Sequence, residues 1–397
     1  MTEGRGALPP RQVRVVLALG GAQTLGWASS YYLPAILAVP MARDLGLSTE
    51  TVFAAFSAAL LVSALLGPAA GRWIDRAGGR DVLVLSSLVF ATGLAMLGMA
   101  QGAVLLFAGW LVMGAGMALG LYEAAFSTLT GIYGRDARGA ITGITLIAGF
   151  ASTVGWPVSA ALEAEFGWRA ACFVWAGAHL LAGLPVNRLL VPRGTQPPAA
   201  GTGAGGGLMA AAGIADRSMV LLGLVFAGAW FTSTAMAAHL PRLLQEAGAT
   251  PAAAIAAAAL VGPAQVAGRL LEFGFLRRFH PLLSARLAAL AHPVAAAAVL
   301  TFGAPVAFAF TIVHGAGNGI LTIAKGTLPL AIFGPSGYGL RQGVLMVPAR
   351  FGQAVAPVLF ALLIEGFGPA ALAVTAGLGL LGFVALLGVD AAPRDGG

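Results

Sequence analysis

The sequence predicts an all-helical membrane protein: twelve transmembrane helices in two repeated halves of six. Three observations predict it. The 397-residue chain is 58% hydrophobic and only 9% charged, with mean hydropathy +0.88. A soluble domain carries roughly 25% charged residues, so this chain cannot cover its surface with water-compatible groups. Its apolar residues fall into long runs separated by short polar breaks, each run near the roughly 20 residues a helix needs to cross a bilayer. Landmarks of the first half recur, in order, in the second.

Taken in order, the runs cover approximately 14–40, 51–72, 82–100, 103–133, 140–163, 169–191, 217–244, 251–273, 283–302, 305–333, 343–365 and 369–389. Each is read as a helix, because an open strand leaves its backbone unsatisfied in lipid. The stretch before Arg14 is short and polar. The run after it has no small-residue cleavage site, so it reads as a retained first span and not a signal peptide. Between spans 6 and 7 lies the one long linker, Val191–Gly213, with Pro192, Pro197, Pro198 and glycines from Gly201 to Gly207. Its Pro/Gly/Ala makeup cannot bury a core. The expected organisation is therefore an N-terminal bundle over 1–191, a linker over 192–216 and a C-terminal bundle over 217–397.

The repeat is carried by four matches. Gly114-Ala115-Gly116 recurs as Gly315-Ala316-Gly317, and Leu33-Pro34 as Leu240-Pro241. Gly67-Pro68 with Gly71-Arg72 recurs as Gly262-Pro263 with Gly268-Arg269, and Pro157 with Phe166-Gly167 as Pro357 with Phe367-Gly368. All fall at equivalent spans, as a parallel six-plus-six duplication requires. Orientation follows from the basic residues: of 22, sixteen lie on one side, only Arg43, Arg169 and Arg242 on the other, and Arg269, Lys325 and Arg350 within spans. That asymmetry places both termini in the cytoplasm, and the expected location is the inner membrane of a bacterium. The basic residues are scattered between apolar runs, so the net charge of +7 is not a nucleic-acid patch. Cys172 is the sole cysteine, which excludes an internal disulfide and a cysteine metal site. No nucleotide motif, metal cluster or catalytic constellation is legible. The chain calls for no cofactor beyond a coupling proton, and a monomer is expected.

The stretch Gly67–Arg80, between spans 2 and 3, is charged and Gly-rich and reads as a membrane-surface connection. Gly71, Asp75, Arg76, Gly78 and Arg80 match the pattern Gly-x-Leu-x-Asp-Arg-x-Gly-Arg-Arg that the major facilitator superfamily carries at this place. Trp73 and Gly79 depart from it. Over essentially its whole length the chain resembles that superfamily. The resemblance implies two six-helix bundles around a central cavity, rocking between outward-open and inward-open states, with these five residues as a conformational latch. Gly71 would allow close helix approach, and Asp75 would sit at the positive end of the following helix dipole. In span 5, Gly149 and Gly155-Trp156-Pro157 lack the Gly-Pro of the family's antiporter motif.

Charges at membrane depth are costly and usually face a cavity. Glu123 stands about 18 Å above the Arg135 loop, and Lys325 occupies nearly the same repeat position. They could be a proton-titrating carboxylate with a substrate-binding lysine, or a structural ion pair. Arg269 and Arg350 lie at similar depths, where two guanidinium groups could chelate a carboxylate or phosphate. Their placement resembles the branch containing oxalate/formate antiporters and monocarboxylate transporters, with Gln265 where that branch has an acid. The alternatives are an Arg269–Glu272 pair at i+3 and an Arg350 snorkelling to the interface. Tyr31, Tyr32, Trp27 and Gln23 on span 1, and Asn318 with Thr322 beside Lys325, complete the candidate binding wall. His239 and His314 read as satisfied polar groups. The expected function is secondary transport of a small organic anion by alternating access, driven by a proton or exchange gradient. The other reading is proton-coupled efflux of drugs or amphipathic compounds.

Overall fold

A computed structural model describes residues 9–194 and 216–390. Most of the linker predicted over 192–216 lies outside the described residues. Among the described residues every regular element is a helix. Eight stretches are long and apolar enough to cross a membrane. Two of these are far too long for one crossing: Ala103–Leu190, with 88 residues, contains spans 4, 5 and 6, and Tyr338–Leu387, with 50, contains spans 11 and 12. Span 1 is a broken pair, Pro10–Ser29 and Pro34–Leu45. The chain is an integral multi-pass membrane protein.

Several spans are interrupted where the sequence reads as continuous. Span 4 divides into Ala103–Gly120 and Tyr122–Tyr133, span 8 into Pro251–Ala259 and Val261–Gly274, and span 11 into Tyr338–Leu345 and Val347–Phe367. Span 6 contains a π-turn at His179–Gly183. Pro34 explains the restart of span 1, because its missing N–H is harmless in a first turn. Its repeat counterpart Pro241 instead lies inside the unbroken helix Arg217–Glu246. The connection predicted at 67–80 is almost wholly helical. Span 2 runs from Thr49 to Ala77 and span 3 starts at Gly79, leaving Gly78 as the hinge. Its φ of 81° is a left-handed conformation that only glycine adopts cheaply.

The chain divides into two compact units. The first takes residues up to Ala59, then from Ala69 to the linker, and Gly334–Gly339; the second takes Leu60–Pro68, Phe333 and the residues before it back to the linker, and Leu340 onward. Inside each unit the helices pair alike. Span 1 packs on spans 5 and 6, and span 3 on spans 4 and 6. Likewise span 7 packs on spans 11 and 12, and span 9 on spans 10 and 12. The repeat is visible in backbone contacts too. A Cβ on Gly114 would strike the Ala59 carbonyl, and one on Gly315 would lie 2.8 Å from the Val261 carbonyl.

At the end of span 1, Asp44 gathers two connections. Arg169 forms an ion pair with it, and Trp168 Nε1 donates at 3.2 Å. Arg169 Nη2 also donates to the Ala100 carbonyl at 2.9 Å. The Arg169 hydrogen bond holds the Asp44 carboxyl below its ordinary value of 3.8. A depressed carboxylate stabilises the fold above its unfolded pKa, and that contribution disappears as pH falls through the folded one. Asp44→Asn is therefore expected to lower the melting temperature slightly at neutral pH, by an amount that shrinks as the pH falls below 3.8. A shift that stays the same size as the pH falls would exclude the pair as its source.

Candidate functional site

In the first unit, the break in span 4 positions the acid. Glu123 lies in the first turn of Tyr122–Tyr133, where the helix dipole favours a negative charge. The break at Leu121 leaves the Gly120 carbonyl at a helix end, and Gln23 Nε2 donates to it at 2.6 Å. Gln23 thus spends its donor on holding the break open. Beside Glu123 in the chain, Tyr122 packs at a tilt against Trp27 with ring centroids 4.9 Å apart. Trp27 also contacts Tyr31 at 5.3 Å and Tyr32 at 6.3 Å, and Tyr32 meets Trp156 at 5.8 Å. Both tyrosines lie in the break of span 1, and both are half-buried. The structure therefore brings Trp27, Tyr31, Tyr32 and Tyr122 into one aromatic cluster, with Gln23 at the neighbouring Gly120 carbonyl.

The latch residues are placed differently from the sequence expectation. Asp75 lies in the last turns of span 2, not at the start of span 3. Its Oδ1 accepts the Gly339 amide at 2.8 Å, in the first turn of Tyr338–Leu345. A carboxylate there satisfies an orphan amide at a helix start. Gly339 abuts the Gly71 carbonyl, so Gly71 does permit a close approach. Arg76 is exposed and Arg80 half-buried.

The second unit holds the other charges. Lys325 is fully buried, with Nζ 4.8 Å from the Trp230 ring centroid. Such a cation–π contact stabilises a desolvated ammonium. The Lys325 carbonyl accepts from Gln342 Nε2 at 3.1 Å. Arg350 is 2% exposed, and its Nη1 donates to Gln353 Oε1 at 3.1 Å, so it does not snorkel to an interface. Asn318 Nδ2 donates to Ser233 Oγ at 2.9 Å, and Thr322 to the Asn318 carbonyl. Gln265 is half-buried on span 8. Its backbone carbonyl faces Gly319, one of three glycines that bring spans 8 and 10 into backbone contact.

Arg269 is the outlier. It is 5% exposed on span 8, directly after Gly268, whose close approach to the Ala316 carbonyl seats this helix on span 10. It makes no hydrogen bond or ion pair with any described residue, and its Nε and Nη1 are fully buried. The i+3 pair with Glu272 does not form, although Glu272 is 2% exposed on the same helix. A desolvated guanidinium without acceptors costs several kcal/mol. Its Nε and Nη1 hydrogens therefore have no acceptor among the described residues.

Sequence reasoning passed over His292. Its Nδ1 lies 2.9 Å from His314 Nδ1, and both rings are buried. Two histidines in neighbouring apolar spans were the available signal. His239 is satisfied by the Pro357 carbonyl at 2.7 Å. Among the described residues no three His, Cys, Asp or Glu side chains gather into a metal site.

Solved transporters share this architecture. The E. coli fucose:proton symporter FucP superposes with TM-score 0.76 at 15% identity, over 95% of this chain and 98% of that one. The human organic anion transporter MFSD10 (TETRAN) gives 0.74 at 17%, over 96% and 100%. The proton:xylose symporter XylE gives 0.71 at 14%, over 94% of each. No curated protein sequence matches the chain. The family model described as Major Facilitator Superfamily matches residues 19–310, so twelve helices in two bundles, a duplicated half and a matching family sequence converge: the chain belongs to that superfamily.

Proposed function

We propose that this transporter moves a small organic anion by alternating access, with a proton or exchange gradient as the driving force. One observation carries the substrate class: Arg269, buried in the second unit, with no acceptor for its Nε and Nη1 among the described residues. A bundle that retains such a group gains the missing interaction when a carboxylate or similar anion arrives. Lys325 and Arg350, buried in the same unit, add positive potential. Glu123, beside Tyr122 in the first unit, is the carboxylate we assign to carry the coupling proton. Among transporters of this fold, one is named for organic anions and two for proton symport. The Asp75–Gly339 hydrogen bond supports a role for the 67–80 stretch in favouring one alternating state. The charge asymmetry supports cytoplasmic termini.

The test is reconstitution into liposomes, with uptake of mono- and dicarboxylates, phosphorylated compounds and cationic dyes measured with and without a pH gradient. Saturable uptake of at least one anion is expected. Uptake of cationic dyes with no anion transported would replace this reading by drug efflux.

A further inference from the structure

Inside the second unit, three side chains form a chain whose hydrogen atoms can be assigned by counting. Thr375 Oγ1 donates its one hydrogen to the Leu372 carbonyl at 3.0 Å. It lies 2.9 Å from His292 Nε2, so there it must accept, and His292 Nε2 must carry a hydrogen. In a neutral ring, Nδ1 of His292 is then a bare acceptor. His314 Nδ1, 2.9 Å away, must therefore be the donor. Three of the four ring nitrogens are committed. The fourth, His314 Nε2, keeps its lone pair and has no hydrogen bond to any described residue.

That lone pair belongs to a ring lining a cavity. The space, bounded by both histidines, Asn318, Thr232 and Gly379, offers about 40 Å³ to the centres of water molecules. At 10–15 Å³ for each, that is room for about three waters. Phe310 stacks on His314 at 5.8 Å and meets His292 edge-on at 5.7 Å, closing the apolar side.

We propose that the His292–His314 pair is a proton-binding site within the C-terminal half, taking one proton from the cavity at His314 Nε2. A hydronium gives its proton to that lone pair and leaves as water; one N–H bond forms and none in the protein breaks. The charge is then shared along the Nδ1···Nδ1 contact, which becomes a charge-assisted hydrogen bond between spans 9 and 10. The far end is closed, because Thr375 points its hydrogen at Leu372. Loading and release therefore use the cavity face alone.

No carboxylate takes part. Span 9 also carries Arg286, and span 12, packed on it, carries no titratable group. Span 10 carries Lys325, and span 8 beside it carries Arg269 and Glu272. Span 7 carries Arg217, His239, Arg242 and Glu246, and Arg277 with Arg278 close the end of span 8. None of these forms a hydrogen bond or ion pair with either ring. The site does not depend on which substrate is carried.

The test uses the full protein in lipid nanodiscs with all five histidines 15N-labelled, titrated between about pH 8 and pH 4 by NMR. Expected at high pH are a His292 ring protonated at Nε2, a His314 ring protonated at Nδ1, and a coupling between their Nδ1 nuclei. On acidification both rings should shift in one step that takes up one proton per protein. His314→Gln should remove that step from His292, and Thr375→Val should change the His292 tautomer without removing proton uptake. Should either variant fail to fold, the wild-type titration decides alone. Rings that never shift, that titrate in separate steps, or that show no coupling would overturn the proposal.

Discussion

Arg269→Gln is expected to reduce anion uptake at least about a hundredfold while leaving the folded protein as stable as before, or more so. The two halves of this result come from the same fact. Truncating one member of a buried charge pair costs roughly 2–5 kcal/mol of binding, and each 1.4 kcal/mol is tenfold. The protein alone, however, leaves the Arg269 Nε and Nη1 hydrogens without an acceptor among the described residues. Removing a desolvated, uncompensated charge relieves a cost. A structural arginine would behave in the opposite way, losing melting temperature in proportion to its buried bonds. Arg269→Lys should recover little transport, since an ammonium replaces a planar fork with a point charge. The measurements are initial uptake of the carboxylate identified in the vesicle screen and thermal unfolding in detergent. A variant with unimpaired uptake and a lowered melting temperature would return Arg269 to a packing role.

The contrast between Arg269 and Glu272 marks the limit of what the chain discloses before it is folded. Spacing at i+3 favours their pairing, and the pairing is absent, because side-chain direction is set by neighbours that spacing cannot see. Features governed by composition are legible: apolar runs, the basic-residue asymmetry, and the duplicated Gly114 and Gly315. So is the Gly71–Arg80 signature, although it suggests the wrong helix end for Asp75. Nothing local signals that span 2 continues to Ala77. The break at Leu121 is hidden for a related reason. It contains no proline, and its free carbonyl is satisfied by Gln23, 97 residues earlier in the chain. The His292–His314 contact is unreadable because it depends on the rotation of spans 9 and 10 about their axes. Breaks and polar contacts of this kind are tertiary decisions, and they determine which candidate residues have partners.

Gly315→Leu is expected to be among the most destabilising single changes in the second unit. A Cβ there would stand 2.8 Å from both the Val261 carbonyl oxygen and the Ala264 Cβ. The first of these is backbone, which cannot rotate away as a long side chain can. Adding even one carbon therefore pushes spans 8 and 10 apart. Overpacking of a close-packed interface costs roughly 1–3 kcal/mol, and the rest of a leucine side chain adds to this. Gly268 and Gly319 press on carbonyls along the same seam, so the helices cannot tilt around Gly315 without opening those contacts too. Gly377→Ala is the control. It lies in Leu372–Leu387, where an added methyl group would meet nothing within 4 Å, and alanine there should be neutral or stabilise by about 0.4–1 kcal/mol. The melting temperature should fall for Gly315→Leu and hold or rise for Gly377→Ala. Because Arg269 follows Gly268 directly, any displacement along this seam also moves the guanidinium, so Gly315→Leu should lose transport together with stability, whereas Arg269→Gln loses transport alone. Equal melting temperatures for Gly315→Leu and Gly377→Ala would mean that spans 8 and 10 are not held by backbone contact.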